Sequence, residues 1–149
     1  MKKYIEFVVE TEGLVARAEL MESQAPSTCK IVWEILPITA AFHHAIYSGS
    51  ELAMILPDYI EMGFENATTA FLPWEIGFAS LKHGDYFDVE QDFSEICFFY
   101  DRNRGPRMLD GLVKVNLFAH FVSGQEELFD LCRRMRKEGE KQFTVRRVE

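Results

Sequence analysis

A mainly β domain of the α+β type, with about eight strands and two helices, is what the sequence predicts, and three observations carry that prediction. Many short stretches alternate apolar with polar residues, two longer stretches repeat apolar residues at helical spacing, and the composition is that of a globular chain. At 149 residues, 48% apolar and 27% charged, the chain fits a single domain over 1–149. A chain of that length buries roughly 70 per cent of its unfolded surface. Disorder, collagen-like repeats and a disulfide scaffold are excluded on the same grounds.

The elements follow in order. Ile5, Phe7 and Val9 alternate with Glu6 and Glu10, and Leu14, Ala16, Ala18 and Leu20 alternate with Arg17 and Glu19 after Thr11-Glu12-Gly13. Two period-two runs around a glycine make a hairpin. Pro26 suits a first helical turn, and Cys29, Val32, Trp33 and Leu36 recur at i, i+3, i+4 and i+7 until Pro37, so a helix is expected over 26–36. Strands are expected over 42–47 and 52–56, either side of Ser48-Gly49-Ser50, whereas 57–73 keeps no period and reads as a loop. Residues 76–81, 96–100 and 113–122 are β-rich and aromatic, as in a closed sheet. In the second helix, Ser123 and Glu126 predict a capping box, Leu128, Leu131, Cys132 and Met135 the buried stripe, and Gly139 the stop. A last strand is expected over 143–148.

Sixteen basic against twenty-four acidic residues give a net charge of −8, which argues against nucleic acid and anionic membrane as partners. Seven basic and three acidic residues fall in 133–149, so the acidity lies upstream. The loop 85–95 carries Asp85, Asp88, Glu90, Asp92 and Glu95, and the loop 101–110 carries Arg102, Arg104 and Arg107. Cys29, Cys97 and Cys132 are odd in number and set among apolar residues, and no signal-peptide or membrane-length run appears. A reduced, cytoplasmic, soluble protein is the expectation.

Several stretches resemble cyclophilin-like proteins, whose fold is a β-barrel closed by a helix at each end. Gly13-Leu14-Val15-Ala16-Arg17-Ala18-Glu19-Leu20, followed by Ala25-Pro26-Ser27-Thr28, is similar to that fold's opening strand and helix start. Phe42-His43-His44 resembles its Phe-His-Arg strand, and Met108-Leu109-Asp110-Gly111 its Trp-Leu-Asp-Gly turn. Trp33-Glu34-Ile35-Leu36-Pro37 and Glu95-Ile96-Cys97-Phe98-Phe99-Tyr100 are closer to a prokaryotic branch described as a domain of unknown function. The resemblance implies a closed barrel of about eight strands with two helices across nearly the whole chain.

It does not imply the family's activity. Prolyl isomerisation there is attributed to an arginine, in a pocket shared with a glutamine, a tryptophan and a histidine. Here His44 stands at the arginine position, Gly49-Ser50-Glu51-Leu52 replaces the run containing the glutamine, and Met108 and Val113 replace the tryptophan and histidine. The amide barrier of about 20 kcal/mol falls only to groups placed at the twisted bond, so isomerase activity is not expected.

What is expected instead is binding of a small organic or peptide-like ligand, in an aromatic pocket near His44, Trp74, Glu95 and Phe99. The alternative is an enzyme using His43 or His44 as acid or base, with Glu95 or an arginine as partner. A third reading is a homo-oligomeric scaffold joined through exposed aromatics. Adjacent strand residues point to opposite faces, so one histidine faces the pocket, and His44 is the expected one. No cofactor is expected. No metal is expected either, because no local spacing of ligands supports one. Cys97 reads as a core cysteine rather than a nucleophile, and the arginines 102, 104 and 107 read as a solvated counterweight to the acidic loop or a carboxylate clamp.

Overall fold

In the computed structural model, residues 1–102 and 105–149 are described. The first alternating pair folds as antiparallel strands β1 (Tyr4–Val9) and β2 (Leu14–Leu20), joined by a 3-10 turn and by Gly13 at φ 60°, a left-handed conformation that suits glycine. Helix α1 (Pro26–Ile35) begins with Pro26 in its first turn. Its N-terminal amides are capped from far away. The Glu65 carboxylate accepts the Thr28 N–H and the Thr28 hydroxyl, both at 2.8 Å, and the Ser27 N–H at 3.1 Å.

Strands β3 (Ile38–His44) and β4 (Glu51–Ile55) follow, and the stretch without period contributes only β5 (Ala67–Thr68). Then come β6 (Glu75–Leu81), β7 (Phe93–Phe99), a small hairpin of β8 (Arg107–Met108) and β9 (Gly111–Leu112), and the long strand β10 (Val115–Ser123). Helix α2 (Gln125–Glu138) and β11 (Lys141–Val148) complete the chain. The capping box expected at α2 is not formed. Gly124 is the N-cap at φ 76°, with no side-chain cap.

Eight strands close into an antiparallel barrel in the order β2-β1-β11-β3-β4-β7-β6-β10, with β10 pairing back to β2 and β5 adding to β10. Alternation along each strand sorts side chains into two cores. Inside the barrel, Phe7, Phe42, Phe98, Phe118, Phe121 and Phe143 are buried together with Ile5, Leu52, Met54 and Ile96. Phe98 meets Phe7 edge-on at 5.8 Å and Phe121 at 5.3 Å, geometries that aromatic quadrupoles favour. Burying each such ring stabilises the fold by about 1.5–3 kcal/mol.

Because α1 leads into the start of β3, α2 follows the end of β10, and β3 and β10 run in the same sense, the helices lie at opposite ends of the barrel. From α2, Leu128, Leu131, Cys132 and Met135 enter the core, as the stripe predicted, and Phe129 joins them. All three cysteines are free and buried. No helix among the described residues is long and apolar enough to cross a membrane.

The second core lies outside the barrel. Outward-facing residues of β4, β6 and β7, among them Ala53, Ala79, Leu81, Cys97 and Phe99, are covered by Phe71, Val89, Val113 and Val115, most of them from the connecting segments. Gly77 makes that cover fit, since a Cβ there would lie 2.5 Å from Val115 and 2.7 Å from the Phe71 ring.

Candidate functional site

One row across the outer sheet face decides where space is left. His43 on β3 pairs with Ala53 on β4, Ala53 with Cys97 on β7, and Cys97 with Gly77 on β6. Phe71 and Val115 fill the space over Gly77, whereas the short side chain of Ala53 leaves a gap beneath the covering loops. A half-open cavity of about 210 Å³ remains, room for about seven waters at roughly 30 Å³ each. Its apolar walls include Ala53, Ile55, Leu81, Phe93, Met108 and Val113, and its polar lining includes His43, Glu51 and Glu95.

Glu51 and Glu95 share the outward face with Ala53 and Cys97, because positions two apart on a strand point the same way. Ligating atoms of Glu51, Glu95 and Cys97 all lie within 4.8 Å of one another. Glu51 is only 4% exposed, and its Oε2 finds no hydrogen-bond partner among the described residues. Burial pushes its carboxyl up to about 7, an effect partly offset by hydrogen bonds with Ser48 and Cys97. Glu95 keeps partial exposure along its chain, but its carboxyl lies deep, and burial followed by repulsion from Glu51 raises it well above the ordinary range. Neither forms an ion pair among the described residues.

Burial, with the two carboxyls next, also pushes the Cys97 thiol well up, so it stays protonated and is no nucleophile. The three groups make the one cluster of potential metal ligands among the described residues, in a place where sequence spacing gave no hint of one. In chemical terms the cluster offers two acids poised to hold or release a proton, at the floor of an apolar cavity.

The expected residues are distributed as follows. Glu95 and His44 line the cavity; Trp74 and Phe99 do not. Phe99 is fully buried and stacks on Phe71 at 5.7 Å, so it belongs to the outer core and cannot touch a ligand in this cavity. Trp74 is 39% exposed and its carbonyl accepts the Phe121 N–H at 2.7 Å, an anchoring role on another part of the barrel.

Both histidines line the cavity, but the outer face of β3, expected for His44, carries His43. His44 shares the parity of buried Phe42 but sits at the strand end, at the barrel rim. Its Nδ1 donates to the Ala45 carbonyl at 2.9 Å, and its Nε2 meets the Tyr100 hydroxyl at 2.8 Å, so both ring nitrogens are already engaged. His43 is the one on the outer face, where burial lowers its pKa and keeps the ring neutral, the Glu140 charge opposing and the His44 ring assisting. Of the arginines, Arg107 lines the cavity and its N–H donates to Ser48 Oγ at 2.8 Å; Arg102 lies elsewhere, and Arg104 is outside the described residues.

Glu51 is not evident from the sequence alone, because the apolar run begins one residue later, at Leu52, whereas β4 begins at Glu51. The signal was present: Glu51 has the same parity as Ala53 and Ile55, hence the same face.

Comparison with known proteins agrees with the architecture. The structure of McbB in complex with tryptophan matches with a TM-score of 0.66 at 16% identity, covering 95% of this chain and 44% of McbB, so the chain spans less than half of that neighbour. The solution structure of the hypothetical protein AF2241 from Archaeoglobus fulgidus matches with a TM-score of 0.60 at 17% identity, covering 99% of this chain and 95% of that one. At such identities the likeness is one of fold. No curated protein matches the sequence. The family model described as protein of unknown function DUF3830 matches residues 7–146, nearly the whole chain, and the protein therefore belongs to the DUF3830 family.

Proposed function

We propose that this protein binds a small organic molecule in the cavity over β4 and β7. The observation that supports this most is a deep polar floor under apolar walls: the unpartnered Glu51 Oε2 and the Glu95 carboxyl beneath Ala53, Ile55, Phe93, Met108 and Val113. A few convergent polar groups in an otherwise apolar recess are what a small-molecule site requires. McbB, a fold neighbour, is described with tryptophan bound, a small organic molecule of the class proposed. The test is thermal stabilisation across a metabolite panel, repeated with Ala53→Leu, which fills the recess. Hits that stabilise the wild type by several degrees and lose that effect in Ala53→Leu support the reading; hits indifferent to the substitution, or a panel with none, contradict it.

A second reading, an enzyme using acid–base chemistry in the same cavity, is favoured by one observation. His43, Glu51 and Glu95 line one recess, and Glu51 is displaced to about 7, where an acid both donates and accepts protons efficiently. Turnover of any hit that Glu51→Gln abolishes, with binding retained, would favour it.

A further inference from the structure

We infer that the cavity selects an organic ammonium ion, a protonated amine on a small apolar body, with Glu51 and Glu95 supplying its counter-charge. The inference rests on the small-molecule reading and narrows it to a ligand class.

Two acids this close in a buried site do not both ionise, since each charge raises the cost of the other. Above about pH 7 the pair keeps one proton and carries a single negative charge. That charge has no cationic partner among the described residues, and Glu51 Oε2 has no donor. The charged or titratable groups that line the cavity with the pair, or touch it, are His43 and His44 on β3, Tyr47 after it, Cys97 on β7, Asp88 in the loop before β7 and Arg107 on β8. His43 is neutral, Cys97 is a protonated thiol, and Arg107, though it lines the cavity, pairs with neither acid.

A monovalent cation restores neutrality without expelling the shared proton, and an ammonium brings three N–H donors for the free carboxyl oxygens. A divalent metal would need both acid protons removed, and the thiol proton as well if it used all three ligands. It would also leave the walls of Ile55, Leu81, Phe93, Met108 and Val113 without a partner. An amine with an apolar body of up to about seven waters' volume, at roughly 30 Å³ each, uses both halves of the cavity.

The test is calorimetric titration of wild type, Glu51→Gln and Ala53→Leu with benzylamine, and with benzyl alcohol and benzoate as neutral and anionic counterparts, at pH 8 and pH 6. The wild type should bind benzylamine at least about tenfold more tightly than either counterpart at pH 8. It should lose about tenfold of that affinity at pH 6, about one unit below the Glu51 value of about 7, where most of the pair is doubly protonated before the amine enters. Glu51→Gln should erase the preference, and Ala53→Leu should weaken benzylamine even if Glu51→Gln fails to fold. Equal or tighter binding of benzyl alcohol or benzoate, blocked by Ala53→Leu, overturns the ammonium inference and leaves the small-molecule reading standing. Tight Zn²⁺ binding without benzylamine binding also overturns it. Failure of every probe here, together with an empty metabolite panel, overturns both.

Discussion

A glutamic acid moved from water into a site where 4% of its surface remains exposed loses the hydration that makes its carboxylate the favoured form, and Glu51 is in that position. Its folded pKa of about 7 lies above the ordinary value near 4.3 of the unfolded chain. A raised acid stabilises the fold fully below the unfolded value, and that contribution is lost as pH rises through the folded one. Wild-type stability should therefore decline between about pH 4.5 and pH 7.5, by on the order of 3 kcal/mol from this group. Glu51→Gln, which cannot ionise, should flatten the decline and unfold at higher denaturant than the wild type at pH 8. Urea titrations at pH 5 and pH 8 check this, and identical pH dependence in both proteins would contradict it. Such a residue weakens the apo fold at neutral pH, as binding sites commonly do. Of the pair, Glu95 was legible as an acid bordering an aromatic strand, whereas Glu51 was obscured by the serine and glycine run before it. The histidines were legible as a pair but not by face, because a strand boundary misplaced by a residue or two leaves no fixed point from which to count parity.

Elements were readable wherever a period ran for several residues. The hairpin of β1 and β2, helix α1 and the stripe of α2 fall where alternation and the 3.6-residue repeat put them. Strand β3 was expected too late, because Ile38 to Ala41 offers only small or half-buried side chains. Its place is set by pairing with β11, where the Thr39 and Thr144 hydroxyls meet at 2.8 Å. The capping box at α2 failed for a steric reason. The chain turns at Gly124 with φ 76°, and a Cβ there would lie 2.3 Å from the Val15 carbonyl oxygen. Backbone closeness outweighs a side-chain cap worth about 1 kcal/mol. Gly124→Ala should accordingly cost about 1–3 kcal/mol, from left-handed strain and the displacement of β2, whereas Ser123→Ala should cost little. Denaturation midpoints of the two variants decide this, and a larger loss in Ser123→Ala would restore the capping box.

At the scale of the molecule, the closed barrel was legible through strand count, aromatic content and resemblance. What closes it, the pairing of β2 with β10 about a hundred residues apart, leaves no local trace. The cavity was illegible for the same reason, since it forms where side chains from separate strands, with the short Ala53 among them, meet loops folded over the outer face. The resemblance to cyclophilin-like proteins also bears on activity. His44, at the position of the family's arginine, has both ring nitrogens engaged by Ala45 and Tyr100, so this side chain does not offer the free donors of that arginine. A prolyl-peptide assay at micromolar protein, with a cyclophilin as control, should give only the spontaneous rate; clear acceleration would contradict that expectation.

A crystal structure with the best-stabilising compound bound would show whether ligand enters the recess on the outer face of β4 and β7. Density should lie between Ala53, Phe93 and Met108, with a polar atom of the ligand within hydrogen-bonding distance of Glu51 or Glu95. Density in the open groove formed by Tyr100, Asp101, Arg133 and Arg136, with the recess empty, would contradict it.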